Sequence, residues 1–130
     1  MAFLVAQEIS DSEAFTAKLE AYHRYLHSVR GSLPRQAFTF ANAPWHYDFD
    51  DHRCPHDAWL EYVRISEASS GDREQYRRIE IHVRLLASFH DGYIDLIYKD
   101  VQSYNLRTPL SFSSPPLKVG HGDWLLDEVR

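Results

Sequence analysis

The stretch from Arg77 to Leu106 constrains the fold most, because an alternating apolar pattern lies on each side of a turn signal. From Ile79 to Leu85 apolar and polar residues alternate, which is the period of a strand with one buried face. Asp91 and Gly92 follow, and such a pair is typical of a two-residue hairpin turn that needs positive φ at both positions. The register predicted by this turn pairs Phe89 with Ile94, Ala87 with Leu96, and Leu85 with Tyr98, all on one core face.

The N-terminal part of the chain predicts one long amphipathic helix, from about Asp11 to Arg30. Ser10 and Glu13 have the spacing of a capping box, in which a hydroxyl and a carboxylate satisfy free backbone donors. Gly31 lies where a helix-ending glycine belongs, and Pro34 prevents the helix from resuming. The apolar stripe that recurs every three or four residues consists of Phe15, Leu19, Tyr22, Leu26 and Val29.

Short apolar runs elsewhere indicate further strands. In the run from Asp57 to Glu67, alternation places Trp59, Val63 and Ile65 on one face. These patterns predict an α+β fold, with one long N-terminal amphipathic helix packed on an antiparallel sheet of about five strands, a β-meander. The other predicted strands are Gln36–Ala41 and Trp124–Leu126, and Ala2–Ala6 is either a short first strand or an apolar plug under the helix. The predicted loops and connectors are Asn42–Asp57, Ala68–Glu74 and Arg107–Val119.

Length and cysteine content limit the class of protein. The chain has 130 residues, the usual size of one domain, so we expect a single domain over residues 1–130 with one core. The single cysteine, Cys54, excludes an internal disulfide and gives no indication of secretion. The N-terminus lacks the basic segment of a signal peptide, and no apolar run approaches membrane-spanning length. We therefore expect a cytoplasmic protein that is not inserted in a membrane.

The charged and aromatic residues indicate the kind of partner. Nineteen acidic and fourteen basic residues give a formal charge of −5, which disfavours nucleic acid and anionic membranes, since both require clustered cations. Only Lys18, Lys99 and Lys118 are lysines, so most cations are arginines, and the chain has three Trp and eight Tyr. Arg, Trp and Tyr are enriched in interface hot spots. The alternative is a codon bias combined with an aromatic core.

The segment from Trp45 to Asp57 is the best candidate for chemistry, because His, Asp and Cys are concentrated there. In an extended chain alternate side chains point the same way, so residues two apart could converge on a divalent metal such as zinc. This spacing matches no zinc signature, and a polar loop that hydrogen-bonds its own backbone is the alternative. The candidate ligands in the loop are His46, Asp48, His52, Cys54 and His56.

His23 and His27 lie four residues apart on the predicted helix, a spacing that can chelate a metal. No glutamate follows either histidine, so the metalloprotease signature is absent. The alternative is that both rings lie at the edge of the core with their polar atoms reaching solvent. A metal site would gain strong support if these two histidines met the loop in space.

The sequence therefore supports two hypotheses. The favoured one is a non-enzymatic module that binds a protein partner, as inhibitors and immunity-type proteins do, through an exposed patch that includes some of Trp45, Tyr47, Phe49 and Trp59. The alternative is a small metal-dependent or acid–base enzyme that uses the His46–His56 loop and has a concave pocket there. No nucleophile elbow, phosphate loop or dinucleotide fingerprint is present. Self-association through an edge strand or the helix surface stays open.

Overall fold

A computed structural model describes residues 3–4, 11–107 and 123–130 of the chain. Its elements in chain order are α1 (Ser12–Val29), α2 (Arg35–Ala41), β1 (Ala58–Ser70), β2 (Tyr76–Leu86), β3 (Tyr93–Tyr98) and β4 (Asp123–Trp124). The predicted α+β class, with one long helix and an antiparallel sheet, is confirmed. Among the described residues the sheet has four strands in the order β3-β2-β1-β4, close to the five expected. None of the helices in these residues combines the length and apolar character needed to cross a bilayer.

The chain divides into two compact units. Unit 1 comprises Met1–His56 and Leu125–Arg130, and unit 2 comprises Asp57–Trp124. Each unit has its own cluster of buried apolar residues, so α1 packs its apolar stripe within unit 1. The buried members are Leu4, Tyr22, Leu26 and Ala41 in unit 1, and Ala58, Ile81, Val83 and Leu85 in unit 2. The expectations of one domain over residues 1–130 and of a helix packed on the sheet stay predictions.

The long helix α1 agrees with the predicted boundaries to within one residue. Its N-cap is Asp11, whose carboxylate accepts a hydrogen bond from the backbone N–H of Ala14 at 2.8 Å. The predicted partner in a capping box, Ser10, lies outside the described residues; aspartate is as good an N-cap as serine because its oxygen is equally placed to accept. Of the predicted strand or plug at Ala2–Ala6, only residues 3–4 are described. Leu4 is 1% exposed and belongs to the same core cluster as the helix, as the plug interpretation requires.

The prediction of a strand at Gln36–Ala41 is wrong, because these residues form the short helix α2. Alternation over so few residues does not distinguish a strand from a helix. Pro34 at the N-cap, with φ of −54°, is suited to a helix start. The Thr39 hydroxyl donates to the carbonyl of Arg35 at 2.9 Å, one helical turn earlier, and Ala41 is fully buried.

Strand β1 contains a bulge that reverses part of the predicted face pattern. Leu60 pairs with Leu85 and Tyr62 pairs with Arg84, so Glu61 is an additional residue on β1. Because of this insertion Trp59 lies on the opposite face from Val63 and is 49% exposed. The predicted grouping of Trp59 with Val63 and Ile65 is therefore wrong. The strand also runs on to Ser70 and takes in the start of the predicted polar connector.

The hairpin of β2 and β3 exists, but its predicted register is wrong. Leu85 pairs with Ile94 and Val83 pairs with Leu96, so the turn is longer than two residues. His90, with φ of 56°, adopts the left-handed conformation that was expected at Asp91-Gly92, and its N–H donates to the Ala87 carbonyl at 2.8 Å. The shift is four residues along one strand, because Leu85 pairs with Ile94 and not with Tyr98. Because side chains alternate with a period of two, an even shift keeps the predicted inner face.

The sheet ends where the sequence pattern becomes irregular. Strand β3 stops at Tyr98, Asp100 has φ of 54°, and the N–H of Val101 then donates to the carbonyl of Ile79 at 3.0 Å. This irregularity returns an apolar residue, Val101, to the core of unit 2. The predicted last strand Trp124–Leu126 is shorter than expected, because β4 contains only Asp123–Trp124. The predicted loop Arg107–Val119 lies outside the described residues after Arg107.

Candidate functional site

The predicted loop Asn42–Asp57 is confirmed as a chain of turns without helix or strand. Its turns are closed by backbone hydrogen bonds, including that from the N–H of His46 to the carbonyl of Ala43 at 3.0 Å. The Asp51 carboxylate accepts from the backbone and side chain of Arg53, which lowers the pKa of that carboxyl to about 2. The loop is thus ordered by its own polar groups, as the alternative to a metal site expected.

His46 is buried and is held at both ring nitrogens. It is 1% exposed, with Nδ1 at 2.9 Å from the Phe40 carbonyl oxygen and Nε2 at 2.8 Å from Asp127 Oδ1. Both neighbours are hydrogen-bond acceptors, so a neutral imidazole donates to one of them and an imidazolium to both. A metal ligand must present an unshared nitrogen lone pair, and this ring has no nitrogen directed away from these contacts.

Cys54 and His56 also form hydrogen bonds with backbone carbonyl groups of the protein. The Cys54 thiol donates to the carbonyl of His46 at 3.0 Å, and burial raises the pKa of this thiol. A thiol with a raised pKa is a poor nucleophile and a poor metal ligand near neutral pH. His56 Nδ1 is 2.7 Å from the Leu125 carbonyl oxygen, and its ring stacks on Phe49 at 4.0 Å between centroids.

The remaining candidate ligands are not brought together. Asp48 Oδ1 accepts from the N–H of Asp50 at 3.2 Å, and His52 is exposed. His27 packs edge-on against Phe38 at 5.6 Å between centroids. Within the part of the chain that the structure describes, no group of three or more His, Cys, Asp or Glu side chains is arranged to hold a metal ion. The metal site stays a prediction without support from the geometry.

His23 is the one helix histidine that approaches the loop. Burial, followed by the neighbouring charges of His27 and His46, lowers its pKa. Its ring lies 6.5 Å from that of Tyr47, and its Nε2 is buried with no hydrogen-bond partner among the described residues. The neutral ring is therefore part of the aromatic packing of unit 1.

These polar and aromatic side chains bind the C-terminal segment Leu125–Arg130. The sequence did not indicate this interaction. Tyr47 donates its hydroxyl to the Asp127 carbonyl at 2.6 Å, and the Tyr22 hydroxyl accepts from the N–H of Val129 at 2.6 Å. Glu128 reaches the N-terminal end of the chain, where its Oε2 accepts from the N–H groups of residues 3 and 4 at 2.9 Å. With the contacts of His46 and His56, these bonds form a clamp around residues 125–130.

The four predicted partner-binding residues have different environments. Tyr47 contributes to the clamp, and burial raises the pKa of its hydroxyl. Trp45 is half-buried, next to a cavity of about 570 Å³ whose described lining includes none of the candidate histidines. Phe49 is 45% exposed and Trp59 is 49% exposed. Only Trp59 belongs to unit 2.

Trp59 lies on a sheet surface that we name the aromatic face, the face of unit 2 opposite its core cluster. The ladder aligns its residues in three rows, which are Trp59–Leu86–Tyr93, Tyr62–Arg84–Asp95 and Arg64–His82–Ile97. Tyr93 is 59% exposed and Ile97 is 54% exposed. His82 and Arg84 of β2 share this face, with Tyr93 and Asp95 of β3 across from them.

The centre of the aromatic face is a fixed arginine. Arg84 donates to Asp95 through Nε at 2.8 Å and through a terminal nitrogen at 3.1 Å. Its guanidinium also lies over the rings of Tyr93, at 5.1 Å, and Tyr62, at 5.7 Å. His82 Nε2 approaches the same carboxylate at 2.6 Å. Arg84 first and then His82 lower the pKa of the Asp95 carboxyl to about 2.

The opposite face of the same sheet borders a cavity of about 550 Å³, lined mostly by apolar side chains. Comparison with known proteins adds no assignment to either face: no family model matches the chain, and no match was found among curated proteins or solved structures.

Proposed function

We propose that the protein is a non-enzymatic module that binds a protein partner through the aromatic face. The observation that carries this proposal is the exposed row of Trp59 and Tyr93 beside an arginine held rigidly by Asp95. Trp, Tyr and Arg dominate interface hot spots because each buries a large area and also forms hydrogen bonds. A side chain already fixed in the unbound protein loses little conformational entropy on association.

The chemistry of this face indicates the chemistry of its partner. Arg84 is neutralised by Asp95, and the row of Trp59, Leu86 and Tyr93 carries no charge. We therefore expect a partner that inserts an apolar anchor at this row, with an acidic group opposite Arg64 at the rim. Because the centre is nearly neutral, salt should weaken the association only slightly.

The experiment compares matched tyrosines. Tyr93→Ser removes a ring from the row of Trp59, Leu86 and Tyr93, whereas Tyr76→Ser removes an equally exposed ring, 63% against 59%, at the far end of the sheet where β2 starts. Both variants and the wild type serve as bait, and captured proteins are quantified at low and high salt. We expect one protein that binds the wild type and Tyr76→Ser in both conditions and is lost with Tyr93→Ser. Equal capture by all three baits would contradict the proposal.

Two observations disfavour the alternative, an enzyme that uses the His46–His56 loop. Both ring nitrogens of His46 are in hydrogen bonds, and the pKa of the Cys54 thiol is raised. Elemental analysis of untagged protein, with a thermal melt with and without a chelator, tests it. Stoichiometric metal and a chelator-sensitive melt would support the metal site over the clamp.

A further inference from the structure

The outer edge of β3 presents backbone hydrogen-bonding groups that no described residue satisfies. The N–H of Ala87 donates to the carbonyl of Gly92 at 3.0 Å, directly beyond the last pair of the β2–β3 ladder. Hydrogen-bonded and non-hydrogen-bonded pairs alternate along an antiparallel ladder. Tyr93, Asp95 and Ile97, which we name the edge residues, therefore point their N–H and C=O groups away from β2. Since β3 is the last strand in the order of the described sheet, this edge is open.

The side chains of the edge residues end the three rows of the aromatic face. Tyr93 and Ile97 are each more than half exposed, so they offer two apolar positions. Between them, Asp95 accepts two hydrogen bonds from Arg84 and lies 2.6 Å from His82 Nε2. A carboxylate has about four acceptor positions, so one position remains for a further donor. A strand placed beside β3 would therefore meet an apolar position, an acceptor and a second apolar position in turn.

From this arrangement, and resting on the proposed function, we propose that the partner binds by adding an extended segment to the edge of β3. The backbone of the segment bonds to the edge residues, and every second side chain extends a row of the aromatic face. The expected pattern is an apolar residue, any residue, Ser or Thr, any residue, and an apolar residue. Because this pattern is symmetric, it is the same for a parallel and an antiparallel segment.

A second copy of this chain is a poorer occupant of the edge. The twofold register that bonds all three edge residues pairs Tyr93 with Ile97 and sets the Asp95 carboxylates of the two copies directly opposite each other. Like charges directly opposite each other destabilise a pair of strands. A partner segment with Ser or Thr at that position donates to the carboxylate instead.

Amide hydrogen exchange of the full chain, measured by NMR, tests whether the edge is open. The N–H groups of the edge residues should exchange at least about tenfold faster than that of Leu96, which points toward β2. Equal protection in dilute protein would mean that the chain's own residues cover the edge. Protection that grows with protein concentration would assign the edge to a second copy. Either result would overturn the proposal.

The binding probe is the uncharged peptide acetyl-Gln-Val-Gln-Thr-Gln-Val-Gln-amide, titrated into the isotope-labelled full chain. We expect saturable chemical-shift changes at the edge residues, and about threefold weaker binding when the central Thr of the peptide is replaced by Asp. Ile97→Ala and Ile97→Pro form a matched pair, since both shorten the side chain and only proline removes the outward N–H. Ile97→Pro should weaken peptide binding at least about fivefold more than Ile97→Ala, the value of one hydrogen bond.

Absence of peptide binding, or equal affinities of the two variants, would overturn strand addition. Thermal melts check that both variants stay folded; if Ile97→Pro does not, slower exchange of the wild-type edge amides on peptide binding decides. The same pair used as bait separates this result from the proposed function. A protein whose capture depends on Tyr93 but is equal for Ile97→Ala and Ile97→Pro would leave the proposed function in place and reject strand addition.

Discussion

At the scale of single residues, the stability of unit 1 depends on side chains that form hydrogen bonds with the backbone and with one another. His46 is in contact with Phe40 and Asp127, and Cys54 donates to His46. Buried polar groups of this kind stabilise a fold only while each has its partner, because an unpaired group retains the full cost of desolvation. Removal of one member of the clamp therefore tests the arrangement directly.

We expect Asp127→Ala to destabilise the protein by about 2 kcal/mol, because His46 Nε2 loses its partner in a buried site. Urea unfolding followed by circular dichroism measures the effect. Asp50→Ala, an exposed carboxylate in the same loop, is the control and should stay within about 0.5 kcal/mol of the wild type. Equal stabilities for the two variants would show that the clamp contributes nothing.

The buried tyrosines of the clamp give a pH dependence. Burial raises the pKa of Tyr22 from 10.0 to about 12, and it also raises the pKa of Tyr47. In the unfolded chain both hydroxyls ionise near their ordinary pKa, so the contribution to stability is complete below pH 10 and is lost as pH rises toward 12. Unfolding midpoints in urea should therefore fall steeply over this interval.

Tyr47→Phe provides the control for this pH dependence. The variant should be less stable at neutral pH, because the hydrogen bond to Asp127 is lost, and its stability should decline less in alkali. A decline as steep as that of the wild type would assign the alkaline effect to other groups.

At the scale of secondary-structure elements, local conformation at two positions decides the geometry of the sheet. The additional residue Glu61 in β1 moves Trp59 to the aromatic face, and the left-handed backbone of His90 sets the register of the hairpin. Non-glycine residues with positive φ carry a conformational cost of about 1 kcal/mol, which tertiary contacts must offset. The ring of His90 lies 4.6 Å from that of Trp59, a contact that holds the turn in place.

Substitutions in the turn distinguish the observed hairpin from a two-residue Asp-Gly turn. Gly92 is outside the left-handed region, and a Cβ atom there meets nothing within 4 Å. Gly92→Ala should therefore be neutral or stabilise by up to about 1 kcal/mol, since alanine restricts the unfolded chain. Thermal unfolding measures the change.

His90→Gly should raise the free energy of unfolding by about 1 kcal/mol, because glycine adopts the left-handed conformation without strain. Part of this gain should be lost because the ring contact with Trp59 disappears, so the net effect should be small. A loss of more than about 2 kcal/mol in Gly92→Ala would instead indicate the two-residue turn with positive φ at Gly92.

At the scale of the whole molecule, the first and last segments of the chain belong to one unit. The Glu128 carboxylate accepts hydrogen bonds from the N–H groups of Phe3 and Leu4. The N–H of Val129 donates to the hydroxyl of Tyr22 in α1. Unit 2 is a continuous segment with a separate core cluster and contains the aromatic face. The clamp of unit 1 and the proposed partner-binding surface therefore lie in different parts of the chain.

Deletion of Leu125–Arg130 should therefore destabilise unit 1 selectively. Hydrogen exchange measured by NMR should show faster exchange for the amides of α1, by tenfold or more, with little change for those of β2. A full-length variant with Ser69→Ala, at an exposed position of β1, is the control and should leave the exchange of both units unchanged. Equal loss of protection in both units would mean that they unfold together.

The sequence by itself determined the α+β class, helix α1, and the inner faces of β2 and β3, because the periods of apolar residues directly report which face is buried. It did not determine α2, whose two phenylalanines fit a strand equally well, or the face of Trp59, which depends on one inserted residue. Tertiary structure alone decided the role of the His46–His56 loop. Its partners are about 80 residues away at the C-terminus, and spacing within a loop carries no information about which distant backbone groups its side chains will meet.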